Sequence, residues 1–508
     1  MSNFENRVQK DLVTDAVFTE SNEEFILPDY MPEIGRVLRV SATLLPEEHY
    51  VGSDGTEFSG RLEYRLLYSD GEGTVTEAPL EGRYRYRIPA CGKEGAVTYT
   101  EERIESVNAR PSAPRKLGIR TRIHARPHVL TEEEVGVPLS ALVGDAPAET
   151  VTREVAVLAR NACYSGALHA EGRFTVEDTA PDALTLISVQ SAVLPEAREA
   201  HDGYLSVRGR LIFTLLLKKH DGLPFVKVCT LPFEEEITAP DARKEDALML
   251  RTHVASPTVT LEEEGESTAI LLDTEYFIVG TLLRNHTISV LEDLYVHGAH
   301  HDVAKRPFAA ERLIGCASGN LTVGAELALP ADVKMTGCLF PRFSVKEANA
   351  SRVGDKAVIE GTLDAALLCF GEGEIEKCEL TLPFRAELTL GGAKEDGESF
   401  TLSVTPVGGD AQANGGNARV STELAVSLSA ACPVSLSLPA TAVKLGDAEK
   451  PSPTSVVLYY PTDGDTLWSV GKRYGVPLSE LKRQNGIPEE EESTIPLDGY
   501  SYLFVKGL

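Results

Sequence analysis

The segment HGAHHD holds the densest group of metal-ligating side chains in the sequence: His297, His300, His301 and Asp302. The spacing of the histidines would place imidazoles on one face of a helix, where they could hold a divalent metal. The segment falls between two of the repeats described below, where a loop is expected. We therefore interpret it as a polar connecting segment and predict no metal site.

Two runs of glutamate could bind calcium weakly through their carboxylates, LEEEGE from Leu261 and EEEE from Glu489 to Glu492. Neither run has the alternating aspartates or the loop glycine of a dedicated calcium loop, so solvated loops are favoured. The sequence also lacks the patterns of a phosphate-binding loop, a nucleophile elbow and a zinc-binding helix. No catalytic residue and no cofactor are predicted. A non-enzymatic protein is favoured, and an enzyme with an unrecognised site stays an alternative.

The cysteines give no site either, because all eight are scattered and none forms a C-x-x-C pair. Most stand in apolar, strand-like segments, where cysteine behaves as a small hydrophobic residue. We expect reduced thiols in a cytoplasmic protein. The positions are Cys91, Cys163, Cys229, Cys316, Cys338, Cys369, Cys378 and Cys432.

The chain has 508 residues, of which 42% are hydrophobic and 25% charged, as is typical of a folded protein of roughly three to four domains. Its net charge of −28 repels phosphate backbones and anionic lipid headgroups, so nucleic acid and membrane surfaces are poor partners. The N-terminal segment lacks the apolar core of a signal peptide, and no apolar run could span a membrane. We expect no membrane insertion and a protein that stays where it is made.

The sequence contains three copies of the pattern G-[RT]-L-x-x-x-L-L, which begin at Gly60, Gly209 and Gly361, 149 and 152 residues apart. The second and third copies are followed by LPFEEEI and LPFRAEL. The first is followed by GRYRYRI, so that Arg83 and Tyr84 replace Pro-Phe. A period this long lets each copy bury its own core, which indicates tandem domains rather than a solenoid. The predicted domains are residues 8–147, 150–297 and 303–445.

The repeats predict β structure, because apolar residues alternate with polar ones at a period of two. The inward set begins at Leu117 in LGIRTRI and at Val420 in ARVSTELAVSL. Two such runs flank SDGEG, from Ser69, which is a hairpin signal. A short helix is predicted in PDYMPEIGRVLRV, from Pro28. The predicted fold class is mainly β, with three tandem β-sandwich-like repeats followed by a small β-α-α-β domain.

The C-terminal residues form a compact module after a polar, proline-bearing linker at 446–454. VVLYYP predicts a strand, and DTLWSVGKRYG predicts a helix that Asp465 or Thr466 caps and Gly475 ends. PLSELKRQNG predicts a second helix closed by Asn-Gly, and YSYLFV predicts a final strand. The order over residues 455–508 is therefore β-α-α-β.

This module resembles the LysM domain through the segments GDTLW, YGV and NGI. The resemblance implies a shallow groove between the loop after the first strand and the loop after the second helix. It also implies binding of glycans that contain N-acetylglucosamine, such as peptidoglycan. Trp468 is predicted to lie in the core of the first helix rather than in this groove. The groove residues that the resemblance implies are Gly464, Asp465, Thr466, Leu467, Asn485, Gly486, Ile487 and Pro488.

The chain as a whole resembles the SipL-like family of spore-coat morphogenetic proteins, in which tandem SPOCS domains precede a LysM domain. The similarity rests on FILPDYMPEIGRVLRV, the three G-x-L-x-x-x-L-L segments and the C-terminal module. It implies a scaffold or adaptor in spore-coat assembly whose LysM domain docks to a SpoIVA-like coat morphogenetic ATPase. The implied location is the mother-cell cytoplasm, at the forespore and spore-coat surface.

The alternative is a peptidoglycan-binding LysM protein. Two features of the sequence favour the adaptor over this alternative. A lectin of the cell wall has to be exported, and no signal peptide is recognised. The four carboxylates of Glu489 to Glu492 follow the groove directly and do not favour packing against a neutral glycan.

Overall fold

The computed structural model describes residues 7–447 and 456–506, with gaps at residues 14, 94–95, 178, 180–183, 221, 330–337, 371–374, 393 and 415. The described chain is mainly β structure and ends in a small module with two helices between strands, as predicted. Within these ranges, no helix is both long enough and apolar enough to cross a membrane. The cysteines whose side chains are described are free thiols.

The first unit is a sandwich of two antiparallel sheets. Its strands are β1 (Arg7–Asp11), β2 (Val17–Ile26), β3 (Arg36–Gly52), β4 (Gly55–Ser69), β5 (Val75–Ile88), β6 (Val97–Ala113) and β7 (Lys116–Glu134). β3, β4 and β5 form a meander, while β7 pairs with β1 and β2 on one side and with β6 on the other. The predicted inward face of LGIRTRI is confirmed, because Leu117, Ile119, Thr121 and Ile123 are all buried.

The short helix predicted at PDYMPEIGRVLRV is wrong. Residues 28–35 form turns and bends, and β3 begins at Arg36. Pro28 and Pro32 explain the difference, because proline cannot donate a helical hydrogen bond and biases the preceding residue toward extended conformations. Beyond the second proline the chain extends and joins the meander.

The second unit repeats this arrangement after the short helix α1 (Leu139–Val143). Its strands are β8 (Ala148–Tyr164), β9 (Leu168–Val176), β10 (Leu184–His201), β11 (Tyr204–Lys219), β12 (Pro224–Thr238), β13 (Ala247–Val254), β14 (Thr258–Glu264) and β15 (Ser267–Val296). β10, β11 and β12 form the meander. The long strand β15 pairs with β8 and β9 on one side and with β13 and β14 on the other.

The third unit has the same sheet order. Its strands are β16 (Ala299–Ala328), β17 (Cys338–Val353), β18 (Lys356–Phe370), β19 (Glu376–Thr389), β20 (Ser399–Asn414) and β21 (Asn417–Asp447). β17, β18 and β19 form the meander, and β21 pairs with β16 on one side and β20 on the other. The inward face predicted for ARVSTELAVSL is confirmed, because Val420, Thr422, Leu424, Val426 and Leu428 are buried. The domain boundaries given above stay a prediction.

The glycine that opens each repeated pattern lies opposite an aromatic residue of the next strand. The pairs are Gly60 with Tyr84, Gly209 with Phe233 and Gly361 with Phe384. A Cβ at Gly209 would overlap the carbonyl oxygen of Leu194 and lie 2.9 Å from the Phe233 ring. Because only glycine fits under the ring and against the neighbouring backbone, the pattern reflects a packing requirement of the meander.

The three units pack together around shared apolar centres. Equivalent positions of the three meanders meet in one cluster, which contains Leu38, Leu67, Ile187, Leu216, Phe340 and Leu368. A second cluster joins the other sheets, with members that include Val8, Val157, Ile288 and Leu436. Arg160 links all three units at this level, since its N–H donates to Gln9 Oε1 at 2.6 Å and its guanidinium pairs with Glu311. The repeats therefore form one packed body.

The C-terminal module follows this body. Its elements are β22 (Val456–Tyr459), α2 (Leu467–Tyr474), α3 (Leu478–Asn485) and β23 (Leu503–Lys506). Thr466 caps α2, as predicted: its Oγ1 accepts from the Ser469 N–H at 3.0 Å, and Ser469 Oγ accepts from the Thr466 N–H at 3.0 Å. Gly475 and Gly486 follow the two helices in left-handed conformation, with φ of 61° and 66°.

The prediction of a linker at 446–454 is wrong at its first two residues, because Gly446 and Asp447 belong to β21. The rest of that linker lies outside the described residues.

Candidate functional site

The first predicted groove wall is the loop between β22 and α2. Gly464 is exposed and has a φ of 85°. Asp465 folds back onto the loop, since its Oδ2 accepts hydrogen bonds from the Tyr459 hydroxyl at 2.6 Å and from the Thr462 N–H and hydroxyl at 2.8 Å. The Tyr459 hydroxyl and the Thr462 donors lower the pKa of Asp465 to about 2. This carboxylate is therefore charged at neutral pH and shapes the loop.

The first wall is also joined to the segment that precedes β23. Thr466 and Pro496 form an isolated antiparallel bridge, and the Leu497 N–H donates to the Asp465 carbonyl at 2.8 Å. Ile495, next to the bridge, is 49% exposed. An exposed aliphatic side chain thus lies beside the loop that the resemblance assigns to the groove.

The second predicted wall follows α3. The Asn485 side chain pairs with β23, because its Nδ2 donates to the Phe504 carbonyl at 2.8 Å and its Oδ1 accepts from the Phe504 N–H at 2.6 Å. Gly486 and Pro488 are exposed. The asparagine therefore holds the wall against the strand, and Gly486 and Pro488 are open to solvent.

Two of the predicted groove residues lie in the core of the module. Leu467 is 1% exposed and Ile487 is 6% exposed, and both pack in the same apolar cluster as Leu481 and Val505. These side chains support the walls from beneath. The assignment of the eight groove residues to ligand binding stays a prediction.

Lys482 is a residue of the site that the sequence patterns do not reveal. It is 8% exposed, and its Nζ donates to the backbone carbonyls of Glu489 at 2.8 Å and Glu491 at 2.5 Å. The ammonium thus fixes the path of the acidic run, whose members Glu490 and Glu492 remain exposed. The acidic loop is anchored to α3 by its backbone, while Glu490 and Glu492 stay exposed.

Trp468 packs against the three-unit body. It is 8% exposed, its ring meets Tyr295 edge-on with centroids 4.9 Å apart, and its Nε1 donates to Asp293 Oδ2 at 2.9 Å. Lys472 lies one turn further along α2 and pairs with the same carboxylate at 2.6 Å. Trp468 is buried, as expected, but its ring and its indole N–H contact residues at the end of β15, and it lies outside the apolar cluster of its own module.

The hairpin between β15 and β16 completes this contact. The Tyr295 hydroxyl donates to the Val476 carbonyl at 2.7 Å, and the Gly298 N–H donates to the Gly475 carbonyl at 2.9 Å. Gly471 has no room for a side chain here, because a Cβ would lie 2.6 Å from the Tyr295 hydroxyl. The segment between the two helices is therefore held on the hairpin, while Gly464 and Pro488 stay exposed.

The histidine-rich segment belongs to the same hairpin. His297 and Gly298 form its turn, and His300, His301 and Asp302 belong to strand β16 instead of the expected loop. His297 Nε2 lies 3.2 Å from Glu149 Oε1, which also accepts from the backbone N–H of Leu478 at 3.2 Å. Within the ranges that the structure describes, no group of three His, Cys, Asp or Glu side chains could hold a metal ion.

Comparison with protein-family models matches residues 462–490 to the LysM domain. The matched segment contains both predicted walls and the two helices between them. No curated protein and no solved structure matches the chain. The C-terminal module is thus a LysM domain, a binding domain rather than a catalytic one.

Proposed function

We propose that the protein is a non-enzymatic adaptor in spore-coat assembly that docks to a SpoIVA-like coat morphogenetic ATPase through its LysM domain. The observation that carries this proposal is the way the LysM domain is mounted. Trp468, Lys472 and Val476 are held on the β15–β16 hairpin, and the two predicted walls keep exposed residues at Gly464, Gly486 and Pro488. A binding domain fixed on a large packed body is suited to joining two macromolecules.

The acidic loop supports a protein partner. Glu490 and Glu492 are exposed beside Pro488, and Lys482 holds the backbone of this loop in place. These carboxylates give a neutral glycan no charge complementarity, whereas a basic protein surface gains it. The proposed location follows from this partner, namely the mother-cell cytoplasm at the forespore surface.

Peptidoglycan is the second candidate ligand. The specific observation in its favour is the family match, which covers both walls of the groove. The groove could then take an N-acetylglucosamine-containing chain between Gly464 and Pro488. The acidic loop would then lie at the edge of the groove.

The deciding experiment measures binding of the full chain to two ligands separately, a recombinant coat morphogenetic ATPase and insoluble peptidoglycan. Pro488→Arg and Ile495→Arg place bulky charge at exposed positions beside the walls without touching the core. We expect tight binding of the ATPase, and binding roughly ten-fold weaker in each variant.

The matched control is Ser479→Arg, an exposed position on α3. It should bind the ATPase as the unmodified chain does. Pelleting with peptidoglycan without ATPase binding would establish the second candidate instead. Full binding of the ATPase by both wall variants would show that the groove is not the docking face.

A further inference from the structure

A large cleft opens between the first and second units, and its lining residues all belong to these two units. Its volume is about 1040 Å³. One wall comes from β4 and β5 of the first unit and carries Arg61, Arg83 and Arg85, and the other comes from the second unit and includes Tyr164 and Phe277. This cleft plays no part in the function proposed above.

Arg61 and Arg83 form a like-charge pair inside the cleft. They are directly opposite each other on β4 and β5, the register in which two charges of the same sign repel. Arg61 pairs with Glu275, 3.9 Å away, and Arg85 pairs with Glu57 at 3.7 Å. Among the described residues, none forms an ion pair or hydrogen bond with the Arg83 guanidinium. The fold therefore maintains a repulsive pair at the surface of a cavity.

The other two units have no pair of arginines at the equivalent positions. The position of Arg83 is taken by Pro232 opposite Arg210, and by Pro383 opposite Thr362. The aromatic residue that covers the glycine is kept in all three units, so the meander does not require an arginine beside it. Packing of the meander therefore does not account for Arg83, and local conflicts of this kind are expected where a protein binds something.

We infer that this cleft binds an extended acidic peptide segment of a partner protein, whose carboxylates bridge Arg61 and Arg83. An anion between the two guanidinium groups would turn their repulsion into two charge-assisted hydrogen bonds. Alternate residues of an extended peptide lie about 7 Å apart on one face, so that successive acidic side chains reach Arg83 and Arg85 in turn.

Size and charge select a peptide over other anions. The cleft is far larger than an inorganic ion, and Tyr164 and Phe277 give it an aromatic wall for apolar side chains. Nucleic acids and polyphosphates would be repelled by the rest of a chain with a net charge of −28. A short segment with two carboxylates needs only the local arginines.

The test measures fluorescence anisotropy of a fluorescein-labelled peptide, Gly-Glu-Leu-Glu-Leu-Gly, against the full chain at low salt. We expect saturable binding that weakens roughly ten-fold when glutamine replaces both glutamates of the peptide, and by a similar factor in Arg83→Gln. The unfolding temperature of Arg83→Gln should equal or exceed that of the unmodified chain, because the substitution removes the repulsion. Loss of binding without loss of stability separates recognition from folding.

Arg87→Gln is the matched control, because Arg87 is exposed on the same strand but pairs with Asp54 outside the cleft. It should bind the peptide within about two-fold of the unmodified chain. An equal loss in both variants would overturn the inference, as would equal binding of the glutamine peptide. Displacement of the peptide by inorganic phosphate at equal concentration would show a small-anion site instead. The LysM variants Pro488→Arg and Ile495→Arg should bind the acidic peptide as the unmodified chain does. The experiment therefore tests the cleft separately from the proposed function of the LysM domain.

Discussion

The indole N–H of Trp468 donates to the carboxylate of Asp293, 2.9 Å away, and joins the LysM domain to the hairpin of the second and third units. Lys472 binds the same carboxylate, and Tyr295 covers the indole ring. These contacts make the orientation of the LysM domain a property of the folded body. The position of the domain therefore depends on residues on both sides of this contact.

Trp468→Ala should release the LysM domain from the body. Loss of a buried tryptophan removes about 3 kcal/mol of docking free energy, which raises the undocked population roughly hundred-fold. Small-angle scattering should show a larger radius of gyration. Tyr460→Ala is the control, because Tyr460 is 63% exposed in the same domain. Unchanged scattering of the tryptophan variant would contradict the contact.

Docking should weaken in acid. Burial raises the pKa of Asp293, but hydrogen bonds from Lys472 and Trp468 outweigh burial, so that the net pKa is lowered from 3.8. A carboxylate with a lowered pKa stabilises the docked state fully above its ordinary pKa, and the stabilisation is lost as the pH falls through the lowered value. Near neutral pH, hydrogen exchange in α2 should therefore be slower in the unmodified chain than in Asp293→Asn.

The same comparison should show little difference well below pH 3.8. A difference in exchange that stays constant from neutral to acid pH would rule out the carboxylate as its source.

Gly471→Ala should also undock the domain, although alanine favours helices. The new Cβ would lie 2.6 Å from the Tyr295 hydroxyl, closer than a real Cβ contact allows. Adding Tyr295→Phe should restore part of the docking, because it removes the clashing oxygen. Gly499→Ala, where a Cβ would meet nothing within 4 Å, is the control for scattering and thermal unfolding. A Gly471→Ala chain that stays docked would show that the helix can shift to accommodate the methyl group.

Features that depend on nearby residues could be predicted from the sequence. The alternation around Val420 gave the buried face of β21, and Thr466 gave the start of α2. The docking contact could not be predicted, because Asp293 and Trp468 are 175 residues apart and neither residue type signals the other. The role of Lys482 could not be predicted either, because a lysine on an amphipathic helix is normally solvated. Its ammonium gains two carbonyl acceptors through the path of the next loop.

The glycine pattern of the repeats leads to a stability prediction. Gly209→Ala should destabilise the protein by about 1–3 kcal/mol, because the methyl group would overlap the Leu194 carbonyl and the Phe233 ring. Urea unfolding measures the loss. Gly71→Ala has open space around the new Cβ and should leave the free energy of unfolding nearly unchanged. Equal stability of the two variants would mean that the glycine is not required by packing.

Lys482→Met should loosen the acidic loop while keeping the apolar stem of the side chain in place. Two charge-assisted hydrogen bonds to the carbonyls of Glu489 and Glu491 would be lost, at a cost of about 2 kcal/mol. Faster hydrogen exchange at residues 489–492 and weaker binding of the LysM partner should follow together. Arg483→Met serves as control, because this exposed arginine pairs with Glu480 and lies outside the contact between Lys482 and the loop. Faster exchange with full binding would separate loop order from recognition and leave the predicted walls as the binding surface.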